Sequence, residues 1–236
     1  MLQLYYARPS AYARPVWLAL LEKQLTFELI PVDLSGKQFE PEFLALNPFS
    51  HVPVLVDGDF RVIESLAILD YLEAKYPTPS LLPTDAIALA KTRMAQLVAL
   101  NELLPAFIRL IINEDNQTER STDWELARLR AINTLVFLEN LLGDSLYFAG
   151  EQLTMAEIVA GTFVYRMPSL GIPLTDYPKL QVWSERLLLR PAWQQIELSL
   201  EEWSNFKRHI KVIPKIWERR RRQRISSLSE QRLQPI

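Results

Sequence analysis

Glu64 and Ser65 stand side by side where a strand-like run gives way to a helix-like one, in the segment NPFSHVPVLVDGDFRVIESLAILDYL, residues 47–72. Ser65 opens a run in which Leu66, Leu69 and Leu72 recur at helical spacing. A helix start leaves amide N–H groups without intrahelical partners. Together with the Ser65 hydroxyl, those groups offer donors to a carboxylate. Glu64 supplies a negative charge for an ammonium group. Upstream, Pro53 begins a run as apolar as a central strand, where proline is tolerated poorly. A cis Val52-Pro53 bond would accommodate it and leave the Val52 amide and carbonyl free for an extended peptide. Singly, Ser65 is an ordinary cap and Glu64 an ordinary partner of the helix dipole. Combined with the strand-like contact, they suit the α-amino acid end of a small peptide.

These residues need a small α/β frame. LQLYYA reads as a strand. RPVWLALLEKQ reads as a helix, with Pro15 in its first turn, Val16, Leu20 and Leu21 on one face and Trp17 at the margin. TFELIPVDL is a second strand, placed at an edge by Pro31. EPEFLALNP is a short helix, and VPVLVD with RVIE forms a hairpin about Asp57-Gly58-Asp59. The order is βαβαββα. Beyond Pro83 the periodicity is helical only, over Ala86–Asn113, Thr122–Leu142, Thr154–Met167, Leu180–Leu189 and Ala192–Phe206. The sequence thus predicts an α/β domain (1–80), an all-α helical bundle (86–205) and a C-terminal extension (206–236). Thr154 and Glu157 are spaced as a capping box, and Leu153 and Ile158 as a hydrophobic staple. That motif is folding chemistry rather than catalysis.

The chain has 236 residues, 49% of them apolar, enough for one large domain or two small ones. No uninterrupted apolar run approaches the ~18 residues of a membrane span. The opening MLQLYYARPS lacks the pattern of a secretory signal. There is no cysteine, which excludes disulfides, thiolate zinc sites and a cysteine nucleophile. His51 and His209, the only histidines, argue against a histidine-rich metal site. The expectation is a soluble cytoplasmic protein without a metal. Its net charge is −2, but residues 204–236 carry ten Lys/Arg and two Asp/Glu, a net +8, which leaves −10 on the body. Five arginines lie among Arg219 to Arg224. This basic tail is suited to an anionic partner such as nucleic acid or anionic lipid, or it is a solvated helix packing Ile213, Ile216 and Trp217 back on the body.

The segment 47–72 closely resembles the glutathione-binding segment of cytosolic glutathione transferases, through its Asn-Pro, its Val-Pro and its Glu-Ser pair. LTMAEIVAG resembles that family's capping box, with Glu157 where aspartate is usual, and DYPKLQVWSERLLLRPAW resembles its late helix pair. The resemblance covers residues 1–203. It implies a thioredoxin-like first domain, an all-helical second domain and a homodimer. It also implies a glutathione site on the first domain, an apolar acceptor site between the two, and no cofactor beyond glutathione as co-substrate. Glu64 and Ser65 would hold the γ-glutamyl group, and Val52, preceding Pro53, would pair with the cysteinyl backbone. Lys37 or Gln38 would meet the glycyl carboxylate. His51 either touches the tripeptide or stands as an exposed loop histidine.

Glutathione reacts as its thiolate, and a free thiol has a pKa near ~8.5. Lowering it by ~2 units takes about 2.7 kcal/mol of preference for the charged form, within reach of a hydroxyl hydrogen bond and a helix N-terminus. Serine-type classes of the family place the catalytic serine four residues before an Arg-x-Val, and Ser10, Arg14 and Val16 match that spacing. Ser10 would then donate to the sulfur without acting as a base. Tyr5, Tyr6 and Tyr12 are one alternative, on the pattern of the tyrosine-type classes, and Arg8, Arg14 or backbone amides are another, since an arginine also stabilises a thiolate. Strand alternation sends Tyr5 and Tyr6 to opposite faces. The acceptor walls are expected from Tyr12, Arg14, Leu104, Phe107, Ile108, Ile111 and Ile112. Without cysteine, the mixed-disulfide chemistry of omega-type relatives is excluded, and the Ser-Ser-Cys signature of zeta-type isomerases is missing. Conjugation of glutathione to small apolar electrophiles remains, or peroxidase chemistry with the same nucleophile. A reading of another class is a non-catalytic binding module in a protein or nucleic-acid assembly, which the basic tail keeps open.

Overall fold

The computed structural model describes residues 1–113 and 121–211. β1 (Leu2–Tyr6), β2 (Phe27–Pro31), β3 (Val54–Asp57) and β4 (Phe60–Ile63) form one sheet in the order β2-β1-β3-β4. β1 runs parallel to β2, with Leu4 opposite Leu29, and antiparallel to β3, with Leu4 opposite Leu55. Pro31 therefore lies on an outer strand, where its missing N–H interrupts no ladder on the solvent side. Alternation divides the side chains between two faces. Leu2, Leu4 and Leu55 join the core under α1 (Ala13–Glu22) and α3 (Ser65–Lys75). Tyr5, Val54 and Val56 join a smaller cluster with Phe43 and Leu46 of α2 (Pro41–Leu46). The Val52-Pro53 peptide is cis, as is Thr78-Pro79.

Every residue of α1 from Ala13 to Leu20 is buried. A helix apolar all round must be covered all round. The sheet side and α3 cover one flank, and α7 (Met155–Val164) and α9 (Pro191–Ile196) of the second half cover the other. The join between the halves is fastened to the same helix. Lys23 is buried, and its Nζ donates to the carbonyls of Tyr76 and Pro79 at 2.8 Å each and pairs with Glu73 at 2.6 Å. A buried ammonium is tolerated only when paired and hydrogen-bonded in this way.

The second half is helical: α4 (Ala86–Val98), α5 (Leu104–Ile112), α6 (Thr122–Leu142), α7, α8 (Pro178–Leu188) and α9. A wider π turn, Ala99–Leu103, joins α4 to α5 just before Pro105, which has no N–H to continue a regular ladder. The combined Ala86–Ile112 helix reaches a mean hydropathy of 1.6 over 18 residues, long and apolar enough for a membrane span by those measures. Half of that window is buried in the protein, and the helix packs on α6 and α7 as a core element. Thr154 and Glu157 form the capping box: Thr154 Oγ1 accepts from the Ala156 N–H at 3.2 Å, and Glu157 accepts from the Thr154 N–H at 2.8 Å.

One expected helix is two. Ala192–Phe206 breaks after Ile196, where Glu197 turns extended (φ −61°, ψ 138°), and a new helical segment spans 200–211. Ser199 and Glu202 make the break. The Glu202 N–H donates to Ser199 Oγ at 3.1 Å and the Ser199 N–H donates to Glu202 at 2.8 Å, a second capping box. The arginines between 219 and 224, with Ile213, Ile216 and Trp217, lie outside the described residues.

Candidate functional site

The loops at the end of the sheet where β1 and β2 finish and β3 begins enclose a cavity of about 420 Å³ with the start of α3. Ser10, Tyr12, Leu34, Asn47, Ser50, His51, Val52, Pro53, Glu64 and Ser65 line it. α3 starts at Ser65, and no side chain caps its first turn, so its leading amide groups are available to an anion. Glu64, the residue before, adopts φ 68° and ψ 120°. A side chain other than glycine is held there only when its surroundings impose it, a strain of about 1–3 kcal/mol that clusters at ligand clamps.

The bend into Val52 is braced by Asn47. Its Nδ2 donates to the His51 carbonyl at 2.8 Å, and its Oδ1 accepts from the Phe49 N–H at 2.9 Å. Ser50, also at positive φ (61°), donates its N–H to the Asn47 carbonyl at 3.1 Å. Among the described residues no backbone hydrogen bond is made to Val52, so its N–H and C=O remain for a ligand.

Ser10 follows β1 on a turn closed by its own N–H to the Ala7 carbonyl at 2.9 Å. Its Oγ accepts from the Ala13 N–H at 3.2 Å. An oxygen used as acceptor keeps its O–H to donate, and Ser10 borders the cavity. Tyr12 is 47% exposed. It lines this cavity and also a second, more open one of about 470 Å³ with Leu104, Pro105, Ile108, Arg109, Ile112, Asn113 and Asp123. Partial burial, then the Glu64 carboxylate, push the Tyr12 phenol above its ordinary pKa, so it stays protonated at neutral pH.

Several expected residues are elsewhere. Tyr5 packs on the α2 side of the sheet and Tyr6 against Trp17, ring centroids 5.3 Å apart; neither lines the cavity. Gln38 is buried, its Nε2 donating to the Leu34 carbonyl at 2.8 Å, and exposed Lys37 is also absent from the lining. Arg14 lines neither cavity and donates to the Tyr165 hydroxyl at 2.7 Å; with Phe107 it borders a narrow cleft of about 20 Å³ beside Pro9 and Ala11. Phe107, 4% exposed, packs against Phe163 and Trp203, and Ile111 is buried in the core. The opposite face of α5 presents Ile108 and Ile112 to the open cavity instead. Leu34, Asn47 and Ser50 were not expected in the lining. Asn47 had a readable signal: asparagine commonly accepts from the N–H two residues on.

The chain is similar in sequence and fold to known proteins. Residues 4–80 match the family model for the glutathione S-transferase N-terminal domain, and residues 116–186 match that for the C-terminal domain. Glutathione S-transferase Z1 of Arabidopsis thaliana is 34% identical over 200 residues, covering 82% of this chain and 90% of that protein. Maleylacetoacetate isomerase of Pseudomonas aeruginosa is 29% identical over 206 residues, covering 82% and 93%. The theta class glutathione S-transferase of Xanthomonas axonopodis pv. citri, solved with glutathione bound, superposes with a TM-score of 0.74 at 26% identity, covering 84% of this chain and 98% of that one.

Proposed function

This chain belongs to the cytosolic glutathione transferase superfamily, and on that premise we propose that it binds glutathione in the 420 Å³ cavity and adds its thiolate to small electrophiles. The observation that carries the reading is the meeting of four groups at one cavity: the uncapped start of α3, the strained Glu64, the unpaired Val52 backbone and the Ser10 hydroxyl. In this reading the Glu64 carboxylate meets the γ-glutamyl ammonium, and Ser65 with the α3 amides meets its carboxylate. Val52 pairs with the cysteinyl backbone. His51 borders the cavity and is better placed for the glycyl carboxylate than Lys37 or Gln38.

The sulfur then lies near Ser10. The thiol proton leaves to solvent, and the Ser10 O–H donates to the thiolate, favouring the charged form. The electrophile enters by the second cavity past Tyr12, against Leu104, Ile108 and Ile112. The S–C bond forms as the leaving group departs or as an unsaturated acceptor takes the electron pair. In the same reading the protein acts in the cytoplasm as a homodimer, with detoxification as its role.

The isomerase among the relatives raises a second reaction at the same site, isomerisation. The chain has no cysteine and so lacks the Ser-Ser-Cys signature of zeta-type isomerases, which favours conjugation. The test is a conjugation assay with a generic aryl halide and an isothiocyanate. Turnover above the uncatalysed rate with either supports the enzyme. Glutathione binding without turnover of either would favour the binding-module reading.

A further inference from the structure

Ser10 sits on a loop bracketed by two arginines, and both lead to one residue of the second half. Arg8 donates from its guanidinium to the Glu197 carbonyl at 2.9 Å. Arg14 donates to the Tyr165 hydroxyl at 2.7 Å, and that hydroxyl donates to Glu197 Oε2 at 2.7 Å. Arg166 occupies the other carboxylate oxygen of Glu197 at 2.5 Å. Arg14 is 5% exposed, and its own main-chain N–H closes on the Ser10 carbonyl at 3.1 Å. Glu197 is available for this because it lies extended between α9 and the helix that the Ser199–Glu202 box restarts.

We propose that Glu197 is a positioning residue for thiol activation, acting through Tyr165 and Arg14 to fix Ser10. The inference rests on the Ser10 role proposed above. A hydroxyl that stabilises a thiolate must be held close to its productive geometry. Among the described residues Ser10 Oγ itself has only the Ala13 N–H, a neutral contact at 3.2 Å, on a loop without regular structure. The links from Arg8 and Arg14 to Glu197 are shorter, involve charged groups and lie in a part-buried seam, where such bonds are stronger than neutral ones in water. Burial, ahead of the surrounding charges, raises the Tyr165 pKa, so its hydroxyl remains a donor to Glu197.

A purely structural seam and a positioning device differ in one readout, the pKa of the bound thiol. The experiment uses full-length Glu197→Gln and Tyr165→Phe, the second removing a single hydroxyl and serving if the first does not fold. Thiolate absorbance of the glutathione complex is titrated against pH, and S-methylglutathione affinity is measured by calorimetry. The expected result is a bound-thiol pKa higher by about half to one unit in each variant, a roughly three- to tenfold loss of thiolate below the pKa. S-methylglutathione affinity should stay within about twofold, and neither change should add a further shift to Ser10→Ala, since residues acting as one unit are non-additive. A wild-type thiol pKa in either folded variant overturns the proposal, as does full additivity with Ser10→Ala. A wild type that fails to bind S-methylglutathione, or an unshifted Ser10→Ala, removes the underlying Ser10 reading and the proposal with it. An unshifted Glu197→Gln beside a shifted Ser10→Ala removes the proposal alone.

Discussion

Ser10→Ala removes one hydrogen-bond donor from the cavity and one acceptor from the start of α1, and pH separates the two consequences. A hydrogen bond to a charged group contributes roughly 1.5–3 kcal/mol, and each pKa unit corresponds to about 1.36 kcal/mol. The shift therefore has a ceiling of about 1 to 2 units. In a cavity of about 420 Å³ open to solvent, water replaces part of the lost donor, so a rise of about one unit is expected. kcat/KM should fall about tenfold well below the wild-type thiol pKa and recover above the variant's value, where thiolate is abundant. The other consequence is the loss of the Ala13 N–H contact at 3.2 Å, worth about 1 kcal/mol of stability as for a cap. It should appear in urea denaturation at every pH. The assay is thiolate absorbance against pH beside the pH profile of kcat/KM, in wild type, Ser10→Ala and Tyr12→Phe. An unchanged thiol pKa in Ser10→Ala, or an activity loss equal at every pH, would refute the reasoning. A shift found only in Tyr12→Phe would move the role to that phenol.

Ser65→Ala should weaken glutathione binding about tenfold by calorimetry, through loss of a charge-assisted hydrogen bond of about 1.4 kcal/mol; unchanged affinity would remove Ser65 from the site. Gly161→Ala should destabilise by about 1–2 kcal/mol in urea denaturation, because the new methyl would lie 2.3 Å from Trp193 Cη2 and 2.8 Å from Leu187 Cδ1. Overpacking of that kind outweighs the helix-propensity gain of up to about 1 kcal/mol, and a stabilised variant would contradict the packing. Asp57 accepts from Lys75 at 2.5 Å and from the Tyr71 hydroxyl at 2.8 Å, and Lys75 foremost holds its carboxyl below the ordinary value. A depressed folded pKa gives stability above the unfolded value that is lost as pH falls through the folded one. Asp57→Asn should therefore lower the urea midpoint at pH 7, with the difference narrowing below about pH 4; a difference independent of pH would make the role one of packing.

The element order was legible because the two periodicities differ sharply: LQLYYA and VPVLVD cannot be mistaken for the 3.6-residue pattern of SLAILDYLEAKY. Val52, Pro53, Glu64 and Ser65 were legible because their types are unusual where a strand or helix begins. The faces of α5 were not. Phe107 and Ile111 share the apolar spacing of Ile108 and Ile112, and only packing decides that Phe107 meets Phe163 and Trp203 while Ile108 borders the open cavity. Arg14 reads from the sequence as a residue near the acceptor, yet its partner Tyr165 lies 151 residues away, a pairing that no local pattern carries. The break at Glu197 was readable: Ser199 and Glu202 have capping-box spacing, but the apolar periodicity of Trp193, Ile196 and Trp203 runs across it.

The central claim is that the cavity holds glutathione by its γ-glutamyl end and backbone. Calorimetric titration of the full-length protein at pH 7 with glutathione, and separately with the dipeptide Cys-Gly, tests it most directly. Two charge-assisted contacts, at Glu64 and at Ser65 with the α3 start, are absent for the dipeptide, worth about 2.8 kcal/mol together. The predicted result is saturable binding of one glutathione per chain and at least ~100-fold weaker binding of Cys-Gly. No saturable binding of glutathione, or equal affinity for the two peptides, would contradict the account.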